Sequence, residues 1–358
     1  MSTLAERLAA RTLELVDIAS ESLHEEAIRT HLRALVPTLL EPVFIGDDAA
    51  LWLPSRRENV PLVVLAGHYD TVPAQGNLPG RLDEDAVHGV GATDMKGGVA
   101  VALELVRDIA EGAISPRLDV GLLLFGKEEL PPSFNPLPEL FENAPELHES
   151  ALAILLEPTS GAIHAGCVGT LTARVVFTGI AGHAARPWLA ENAIDRAVDG
   201  LAPIARLDRR EATVGGLPFY ETVTLTRLEA GIADNVIPDR AVATVNLRYP
   251  PDRSPAEAVA LLESLVPPDA TVEVVGNSPP AAVVSDTPAV RALLTAGATA
   301  IEPKQAWTNV SDFTTRGIDA VNFGPGEPPY AHRVDELVRI GMLVHAYETL
   351  ARFVEAGL

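Results

Sequence analysis

Three predominantly apolar segments of strand length stand out in the first half of the chain. They occupy residues 62–66, 118–126 and 152–156. Segments that are apolar at nearly every position are typical of strands buried on both faces, as in a parallel sheet. Residues 97–112, between the first two segments, repeat apolar positions on one helical face, as expected of a crossover helix packed on a sheet. The pattern predicts an α/β fold.

The N-terminal region is predicted to add helices and short strands to this sheet. Residues 3–19 repeat apolar positions at helical spacing. Ser22 to Glu25 match a capping box, which predicts a second helix that ends before Pro37. Short β-like segments follow at residues 42–46 and 49–53. We expect these elements to flank the buried strands.

From about Thr170 the order of elements changes. The pattern predicts strand, helix, strand, strand, helix and strand, at residues 171–179, 191–206, 222–229, 241–249, 255–265 and 271–275. This β-α-β-β-α-β order is typical of the ferredoxin-like motif. A proline-rich return follows at residues 276–283, and a strand at 318–323 and a final helix at 336–356 come after it.

Chain length supports a division into two domains. The chain has 358 residues, which exceeds the usual size of a single hydrophobic core. We predict a discontinuous first domain, residues 1–169 and 281–358. The inserted second domain, residues 170–280, is predicted to have an α+β fold.

The composition limits the classes of partner and compartment. A formal net charge of −22 argues against nucleic acid and anionic membranes as partners. The single cysteine, Cys167, excludes an internal disulfide, and its apolar surroundings predict a buried residue and not a nucleophile. Residues 1–16 lack the apolar core of a signal peptide, and the longest apolar runs are too short to span a membrane. We expect a cytoplasmic protein.

Each of the three apolar strands ends in residues that can carry chemistry. His68 and Asp70 follow the first strand, Glu128 and Glu129 follow the second, and Glu157 follows the third. Ligands of α/β sheets bind at the carboxyl ends of the strands. For any one of these residues, a hydrogen-bonded core histidine, a helix N-cap or an exposed loop charge is an equally good interpretation. Their recurrence at three successive strand ends favours a shared site.

Two further residues complete a candidate two-metal site. Asp94 lies in the loop before the predicted crossover helix, and His332 lies in a Gly/Pro-rich loop before the final helix. A carboxylate can bridge two ions, and imidazole and carboxylate groups are suitable zinc ligands. We therefore predict Asp94 as the bridge, with His68 and Glu157 on one ion and Glu129 and His332 on the other.

Glu128 and Asp70 are then predicted to support the metal ligands. A hydrolytic site of this kind needs a general base beside the shared water. Adjacent residues on a turn point in different directions, so Glu129 can bind a metal while Glu128 faces the water. Asp70 follows His68 by two residues on the same side of the strand, where it can accept a hydrogen bond from the second ring nitrogen of His68.

Several sequence blocks resemble the dizinc aminoacylase–carboxypeptidase family of metallopeptidases. In chain order the blocks are GHYDTVP, GVGATDMKGG, KEE, LLEPT, GHAARP, ADNVIPD and AHRVDE. The resemblance extends over nearly the whole chain. It implies the metal roles given above, with two Zn²⁺ ions per subunit and Co²⁺ as a substitute. It also implies that Glu128 is the general base, that Asp70 orients His68, and that the peptide bond after Asp94 is cis.

The same resemblance implies an architecture for the two domains. Residues 1–169 and 281–358 would form a zinc-peptidase-like catalytic domain, an α/β fold with a mixed, largely parallel sheet between helices. Residues 170–280 would form a ferredoxin-like lid and dimerisation domain. We expect this lid to close over the catalytic domain, because such a site must exclude bulk water.

The GHAARP block adds a residue from the insert to the candidate site. By itself, His183 is equally consistent with a loop histidine packed at a domain edge. The resemblance implies instead that His183 reaches the active site of the neighbouring subunit and stabilises the oxyanion of the tetrahedral intermediate. A residue that acts in the neighbouring subunit requires at least a dimer, so a homodimer is expected.

The resemblance also implies a set of substrate-binding residues. Arg248 suits a carboxylate, since its guanidinium fork matches two oxygens, although a salt bridge across the insert's sheet is nearly as good an interpretation. The other candidates are Asn235, Arg186, Asn192, Ser311 and Gly324. The expected partner is a small molecule.

The implied reaction is hydrolysis of the amide bond of an N-acylated amino acid, with an N-succinylated diamino acid as the expected substrate. The same ligands serve acetylornithine deacetylation and dipeptide hydrolysis, so the substrate stays open. A metal-binding or ligand-binding protein without catalysis is a further interpretation, which the presence of Glu128 disfavours. Lys127 and the Leu-Pro-Pro after the glutamates depart from the family pattern, so the loop beside Glu128 is expected to differ in shape.

Overall fold

The structure, a computed structural model, describes residues 2–358. Residue contacts divide the chain into two compact units. The first unit runs to Gly166 and includes Val284–Glu302 and Asp312–Leu358, and the second unit comprises Cys167–Val283 and Pro303–Ser311. Residues 303–311, which are predicted to belong to the first domain, lie with the second unit.

The helices and strands are numbered separately in chain order. The helices α1–α9 are Leu4–Asp17, Glu26–Leu35, Gly97–Ala110, Leu137–Asn143, Ala193–Ala205, Pro255–Leu265, Pro288–Ala296, Val310–Thr314 and Ile340–Ala356. The strands β1–β18 are Leu40–Ile45, Ala49–Pro54, Leu62–His68, Arg81–Leu82, Ala86–His88, Asp119–Phe125, Ser150–Leu155, Ile163–Cys167, Gly169–Thr178, Gly182–His183, Arg210–Val214, Leu217–Ala230, Val236–Ile237, Arg240–Tyr249, Thr271–Ser278, Ile301–Lys304, Ala320–Asn322 and Leu337–Arg339. Within residues 2–358, none of the helices has the combined length and apolar character needed to cross a bilayer.

The first unit is built on an eight-stranded sheet in the order β1-β2-β6-β3-β7-β17-β8-β16. The central strands β6, β3, β7 and β17 are parallel, whereas β1, β2 and β8 pair in antiparallel fashion. Every residue of β3 and β6 is buried. Helix α3 packs on both strands, and α1, α3 and α9 pack against one another. The predicted mixed, largely parallel α/β sheet is confirmed.

The second unit carries a five-stranded antiparallel sheet in the order β11-β12-β14-β9-β15. Helices α5 and α6 contact each other and pack on this sheet. Alternate residues of β14, from Ala241 to Tyr249, are buried in the core between sheet and helices. The residues between them, which include Asn246 and Arg248, lie on the opposite, polar face. The order β9-α5-β12-β14-α6-β15 confirms the predicted β-α-β-β-α-β arrangement.

The predicted capping box at Ser22–Glu25 is wrong. Helix α2 begins at Glu26 without a side-chain cap, because the Ser22 hydroxyl donates a hydrogen bond to Asp70 instead. A capping box does form at the start of α1, where Thr3 and Glu6 cap each other's backbone N–H groups.

One strand boundary and one hairpin in the second unit also differ from the prediction. Strand β15 extends to Ser278, which lies within the predicted linker. The hairpin of β11 and β12 was missed, although its turn has a sequence signal. Gly215 and Gly216 have φ angles of 56° and 81°, and two adjacent positive φ angles are typical of a tight hairpin turn that favours glycine.

Candidate metal centre

Three adjacent parallel strands deliver the first candidate residues to one edge of the sheet. In the sheet, β3 lies between β6 and β7, and His68 at the end of β3 is aligned with Phe125 at the end of β6. Glu128 and Glu129 follow β6 after a short loop, and Glu157 follows β7. The carboxyl ends of parallel strands meet at the same edge, which is the arrangement that the sequence analysis predicted.

The first ligand group consists of His68, Asp94 and Glu157. The Nε2 atom of His68 lies 3.2 Å from Oδ1 of Asp94 and 3.8 Å from Oε1 of Glu157. One ligand atom from each of the three residues lies within 4.8 Å of the others. These atoms are close enough together to bind one metal ion.

The second ligand group consists of Asp94, Glu129 and His332. The Nε2 atom of His332 lies 2.9 Å from Oε1 of Glu129 and 3.4 Å from Oδ2 of Asp94. Asp94 therefore presents one carboxylate oxygen to His68 and the other to His332. This is the arrangement that a carboxylate bridging two ions requires. The structure thus brings together all five residues that were predicted as metal ligands.

Electrostatics within the cluster favour a bound cation. Burial alone would lower the pKa of His68. The neighbouring carboxylates outweigh this effect, so the pKa of His68 lies well above its ordinary value. Hydrogen bonds to Asp94 and Glu129 raise the pKa of His332 to about 10. Burial raises the pKa of Glu128 well above its ordinary value, and nearby carboxylates act in the same direction. An excess of negative charge of this kind is relieved by a cation, and imidazole and carboxylate donors suit zinc and related metals.

Glu128 and Glu129 occupy different positions relative to the two ligand groups. Glu129 belongs to the second ligand group with Asp94. Glu128 is close to His68 and Glu129, but it is in neither of the groups that contain the bridging carboxylate. His68, Glu128 and Glu129 themselves form a third group that could hold a metal ion, so the division in which Glu129 binds a metal and Glu128 acts as the base stays a prediction.

Asp70 does more than the sequence analysis predicted. The Nδ1 atom of His68 lies 3.2 Å from the backbone carbonyl oxygen of Asp70 and 3.4 Å from its carboxylate. The carboxylate, which is fully buried, also accepts hydrogen bonds from the backbone N–H groups of Glu128 and Glu129, at 3.1 and 3.2 Å. A third hydrogen bond comes from the Ser22 hydroxyl at 2.7 Å. Asp70 therefore holds both the histidine and the loop that carries the two glutamates.

Three backbone features mark the loops of the candidate site. The Asp94–Met95 peptide bond is cis, which confirms the prediction from the family resemblance. Lys127 and His332 have φ angles of 62° and 63°, a left-handed conformation that is uncommon for residues other than glycine. The side chain of Lys127, which departs from the family pattern, forms an ion pair of 2.5 Å with Asp48. This ion pair connects the loop before Glu128 to the turn between β1 and β2.

In the second unit, strand pairing brings His183 and Asn235 together. Strand β10, which ends at His183, pairs with β13, and the N–H of Ala184 donates to the carbonyl oxygen of Asn235 at 3.0 Å. The N–H of Ala185 donates to Nδ1 of His183, also at 3.0 Å. Because Nδ1 accepts a hydrogen bond, the neutral ring carries its proton on Nε2. His183 is exposed, so this Nε2–H group is available as a donor.

Arg248 lies on the polar face of the sheet in the second unit. Its Nε atom donates to Oδ1 of Asn246 at 2.9 Å, and Nδ2 of Asn246 donates to the Thr172 hydroxyl at 3.1 Å. Burial lowers the pKa of the Arg248 guanidinium, and no carboxylate of residues 2–358 offsets this effect. The salt bridge that was an alternative explanation for Arg248 is therefore not formed among these residues.

The other predicted substrate-binding residues have mixed surroundings. Arg186 is exposed, whereas Oδ1 of Asn192 accepts a hydrogen bond from the N–H of Ile194 and caps helix α5. The buried hydroxyl of Ser311 donates to the carbonyl oxygen of Pro279 at 2.7 Å. Gly324 belongs to the first unit, where its N–H donates to the Thr159 hydroxyl at 3.1 Å. Structural roles are thus evident for Asn192, Ser311 and Gly324, and their contact with substrate stays a prediction.

Cys167 is fully buried, as the sequence analysis predicted. Burial raises the pKa of its thiol to about 11. A thiol with a raised pKa is protonated at neutral pH, so it is a poor nucleophile. Cys167 has no part in the candidate site.

Two relatives cover nearly the whole chain. The chain is 37% identical to the putative succinyl-diaminopimelate desuccinylase DapE of Mycobacterium tuberculosis, over 96% of both chains. It is 34% identical to the succinyl-diaminopimelate desuccinylase of Corynebacterium glutamicum, over 91% of this chain and 90% of the relative.

Solved structures show the same fold at low sequence identity. A tripeptidase of Staphylococcus aureus matches with a TM-score of 0.80 at 20% identity, over 98% of both chains. The YXEP protein of Bacillus subtilis, described as a dinuclear metal-binding peptidase from the M20 family, matches with a TM-score of 0.69 at 16% identity, over 98% of both chains.

The family assignment agrees with the geometry of the two ligand groups. The model of peptidase family M20/M25/M40 matches residues 64–356, a range that includes all five candidate metal ligands. With the two ligand groups, this match indicates that the protein uses a metal cofactor. The chain belongs to peptidase family M20/M25/M40.

Proposed function

We propose that the protein is a metal-dependent amidohydrolase that removes the succinyl group from N-succinyl-LL-2,6-diaminopimelate, a step of diaminopimelate and lysine biosynthesis. The observation that carries the chemistry is the position of Asp94, whose two carboxylate oxygens lie 3.2 and 3.4 Å from the Nε2 atoms of His68 and His332. The substrate follows from the likeness to the two desuccinylases over nearly the whole chain.

The proposed cofactor is two Zn²⁺ ions per subunit, with Co²⁺ as a substitute. His68, Asp94 and Glu157 would hold one ion, and Asp94, Glu129 and His332 would hold the other. Bound zinc ions would lower the pKa of a shared water towards about 7 and polarise the acyl carbonyl group.

Glu128 is the proposed general base. Its carboxylate takes a proton from the attacking water and passes it to the nitrogen of the leaving amine. Burial raises its pKa, which makes the carboxylate a stronger base than an exposed glutamate. Asp70 accepts a hydrogen bond from the backbone N–H of Glu128 at 3.1 Å, and this restrains the loop that carries the carboxylate.

His183 is the proposed donor to the oxyanion of the tetrahedral intermediate. The neutral tautomer places a proton on Nε2, as a hydrogen-bond donor to an anion requires. We further propose that His183 acts in the neighbouring subunit of a homodimer in the cytoplasm. The same loop exposes Trp188 and Leu189, with 75% and 68% of their surface accessible. Large exposed apolar side chains of this kind favour a contact surface.

Arg248 is the proposed binding residue for a carboxylate of the substrate. The proposed substrate carries several carboxylates, and a partly buried guanidinium without an acidic partner is suited to bind one of them. The other residues proposed to contact the same substrate are Asn235, Arg186, Asn192, Ser311 and Gly324.

The decisive experiment is a comparison of substrates with metal-free and zinc-restored protein. Hydrolysis of N-succinyl-diaminopimelate would be measured beside hydrolysis of N-acetylornithine and of a dipeptide. We expect zinc-dependent turnover that favours the succinyl compound. Zinc-dependent turnover that favours another compound would support the metal site and refute the substrate. Stoichiometric zinc binding without turnover of any compound would refute the catalytic function.

A further inference from the structure

A second buried carboxylate, Glu336, contacts the backbone next to the bridging ligand. Glu336 is 2% exposed and belongs to neither ligand group. Its Oε1 atom accepts hydrogen bonds from the backbone N–H groups of Thr93 and Asp94, both at 3.0 Å. Burial of a carboxylate is costly unless hydrogen bonds compensate for the lost water, so two N–H donors on one oxygen indicate a fixed position.

The segment around Glu336 is attached to the Asp94 loop at several further points. Strand β18 pairs with β5, which leads into this loop. The N–H of Gly89 donates to the carbonyl oxygen of Glu336 at 3.0 Å. The Thr93 hydroxyl donates to the carbonyl oxygen of Leu337. His332 lies only four positions before Glu336, so the two loops that carry Asp94 and His332 are joined at Glu336.

The contacts of Glu336 are similar to those of Asp70 elsewhere in the site. Asp70 accepts hydrogen bonds from two consecutive N–H groups, those of Glu128 and Glu129. Glu336 accepts from the two consecutive N–H groups of Thr93 and Asp94. In both cases a buried carboxylate outside the ligand groups holds the backbone of a loop that carries a candidate ligand.

We propose that Glu336 is a positioning residue that fixes the bridging carboxylate of Asp94 relative to His332. The proposal rests on the metal roles proposed for these two residues. Groups that hold metal ligands in place typically contribute 10–100-fold to metal affinity. Without Glu336, the N–H groups of Thr93 and Asp94 lose their acceptor, and the backbone that carries the Asp94 carboxylate is held less firmly.

The second ligand group depends on Glu336 more than the first does. Two of its three members, Asp94 and His332, lie on the loops that Glu336 joins. In the first ligand group only Asp94 lies on such a loop, because His68 and Glu157 are held at the ends of β3 and β7. Loss of Glu336 therefore weakens the binding of one zinc ion more than that of the other.

The test is a calorimetric titration of metal-free protein with zinc alone, followed by thermal unfolding of each variant. In Glu336→Ala we expect an affinity loss of about 10–100-fold for one zinc ion and a smaller loss for the other. Glu336→Gln retains an acceptor oxygen and should recover most of the affinity. His332→Ala identifies the binding step that belongs to the second ligand group.

Asp335→Asn is the matched control. It removes a carboxylate one position away that is exposed and paired with Arg333, so both zinc affinities should stay at the wild-type values. If Glu336→Ala does not fold, Glu336→Asp replaces it, because the shortened carboxylate cannot reach both N–H groups. Wild-type zinc binding in a folded variant, or equal weakening of both steps, would overturn the proposal. Zinc binding is measured without substrate, so a failed desuccinylase assay would not affect this result.

Discussion

Gly324 offers a direct test of the position of Glu157. A Cβ atom built on Gly324 would lie 2.4 Å from the carbonyl oxygen of Leu156 and 2.6 Å from that of Glu157. Both atoms belong to the backbone, so no side-chain rotation can relieve the contact. Ordinary van der Waals separation begins at about 3.4 Å, and Gly324→Ala therefore requires a displacement of about 1 Å.

The displacement has a predicted cost in both stability and activity. Overpacking of this kind typically destabilises a protein by about 1–3 kcal/mol. The Leu156–Glu157 backbone carries a proposed metal ligand, and a misplacement of about 1 Å at a reacting centre costs about 100-fold in rate. We therefore expect Gly324→Ala to lower kcat/KM for N-succinyl-diaminopimelate by about 100-fold. It should also lower the affinity of the first ligand group for its zinc ion.

The assay combines steady-state kinetics, metal content by mass spectrometry and urea unfolding. Gly341→Ala is the matched control, because a Cβ atom at Gly341 would meet no atom within 4 Å. It should leave kinetics and metal content unchanged and stabilise helix α9 by less than the roughly 0.5–1 kcal/mol typical of a helix interior, because Gly341 lies in the first turn. If Gly324→Ala keeps wild-type kcat/KM and zinc content, the argument that this close contact positions Glu157 is refuted.

Three further predictions test the remaining roles. Glu128→Gln should lower kcat by at least about 100-fold with both zinc ions retained, whereas Glu129→Gln should lose zinc, as metal analysis would show. A mixture of Glu128→Gln and His183→Ala subunits should recover up to about a quarter of wild-type activity, because a mixed dimer would contain one complete site. Asn246→Ala should raise KM for the succinyl substrate by about tenfold with little change in kcat, since Asn246 orients Nε of Arg248.

Each of these predictions has an outcome that contradicts it. Zinc loss in Glu128→Gln would mean that the two glutamates have been assigned the wrong way round. Mixed subunits without activity, although dimers form and each variant folds, would argue against a His183 that acts in the neighbouring subunit. An equal rise in KM for a substrate without the carboxylate that Arg248 is proposed to bind would show that Asn246 does not act through carboxylate binding.

Local sequence patterns were sufficient for the sheet and for the choice of ligand residues. The strands β3 and β6 are apolar along most of their length, and this pattern alone indicates burial on both faces. Parallel strands place their carboxyl ends at one edge of the sheet. Residues at or just after these ends, such as His68 and Glu157, are therefore close in space. Asp94 and His332 lie in loops that precede helices, and they were chosen because a two-metal site needs a bridging carboxylate and a second histidine.

The hydrogen bonds that hold the ligands could not be inferred in this way. Ser22 bonds to Asp70 across 48 positions, and Thr93 bonds to Glu336 across 243. Ser22 matched a local capping pattern, but a buried carboxylate with unsatisfied oxygens was a stronger partner than the start of a partly exposed helix.

The sequence by itself determined which residue types are available for metal binding and base catalysis, because strand periodicity and turn position are local properties. The tertiary structure decided that the two oxygens of Asp94 face different histidines, and that Asp70 and Glu336 hold the loops that carry the candidate ligands. These features depend on the packing of segments far apart in the chain. The direction of a carboxylate is set by the donors that surround it, and those donors are brought together only when the chain folds.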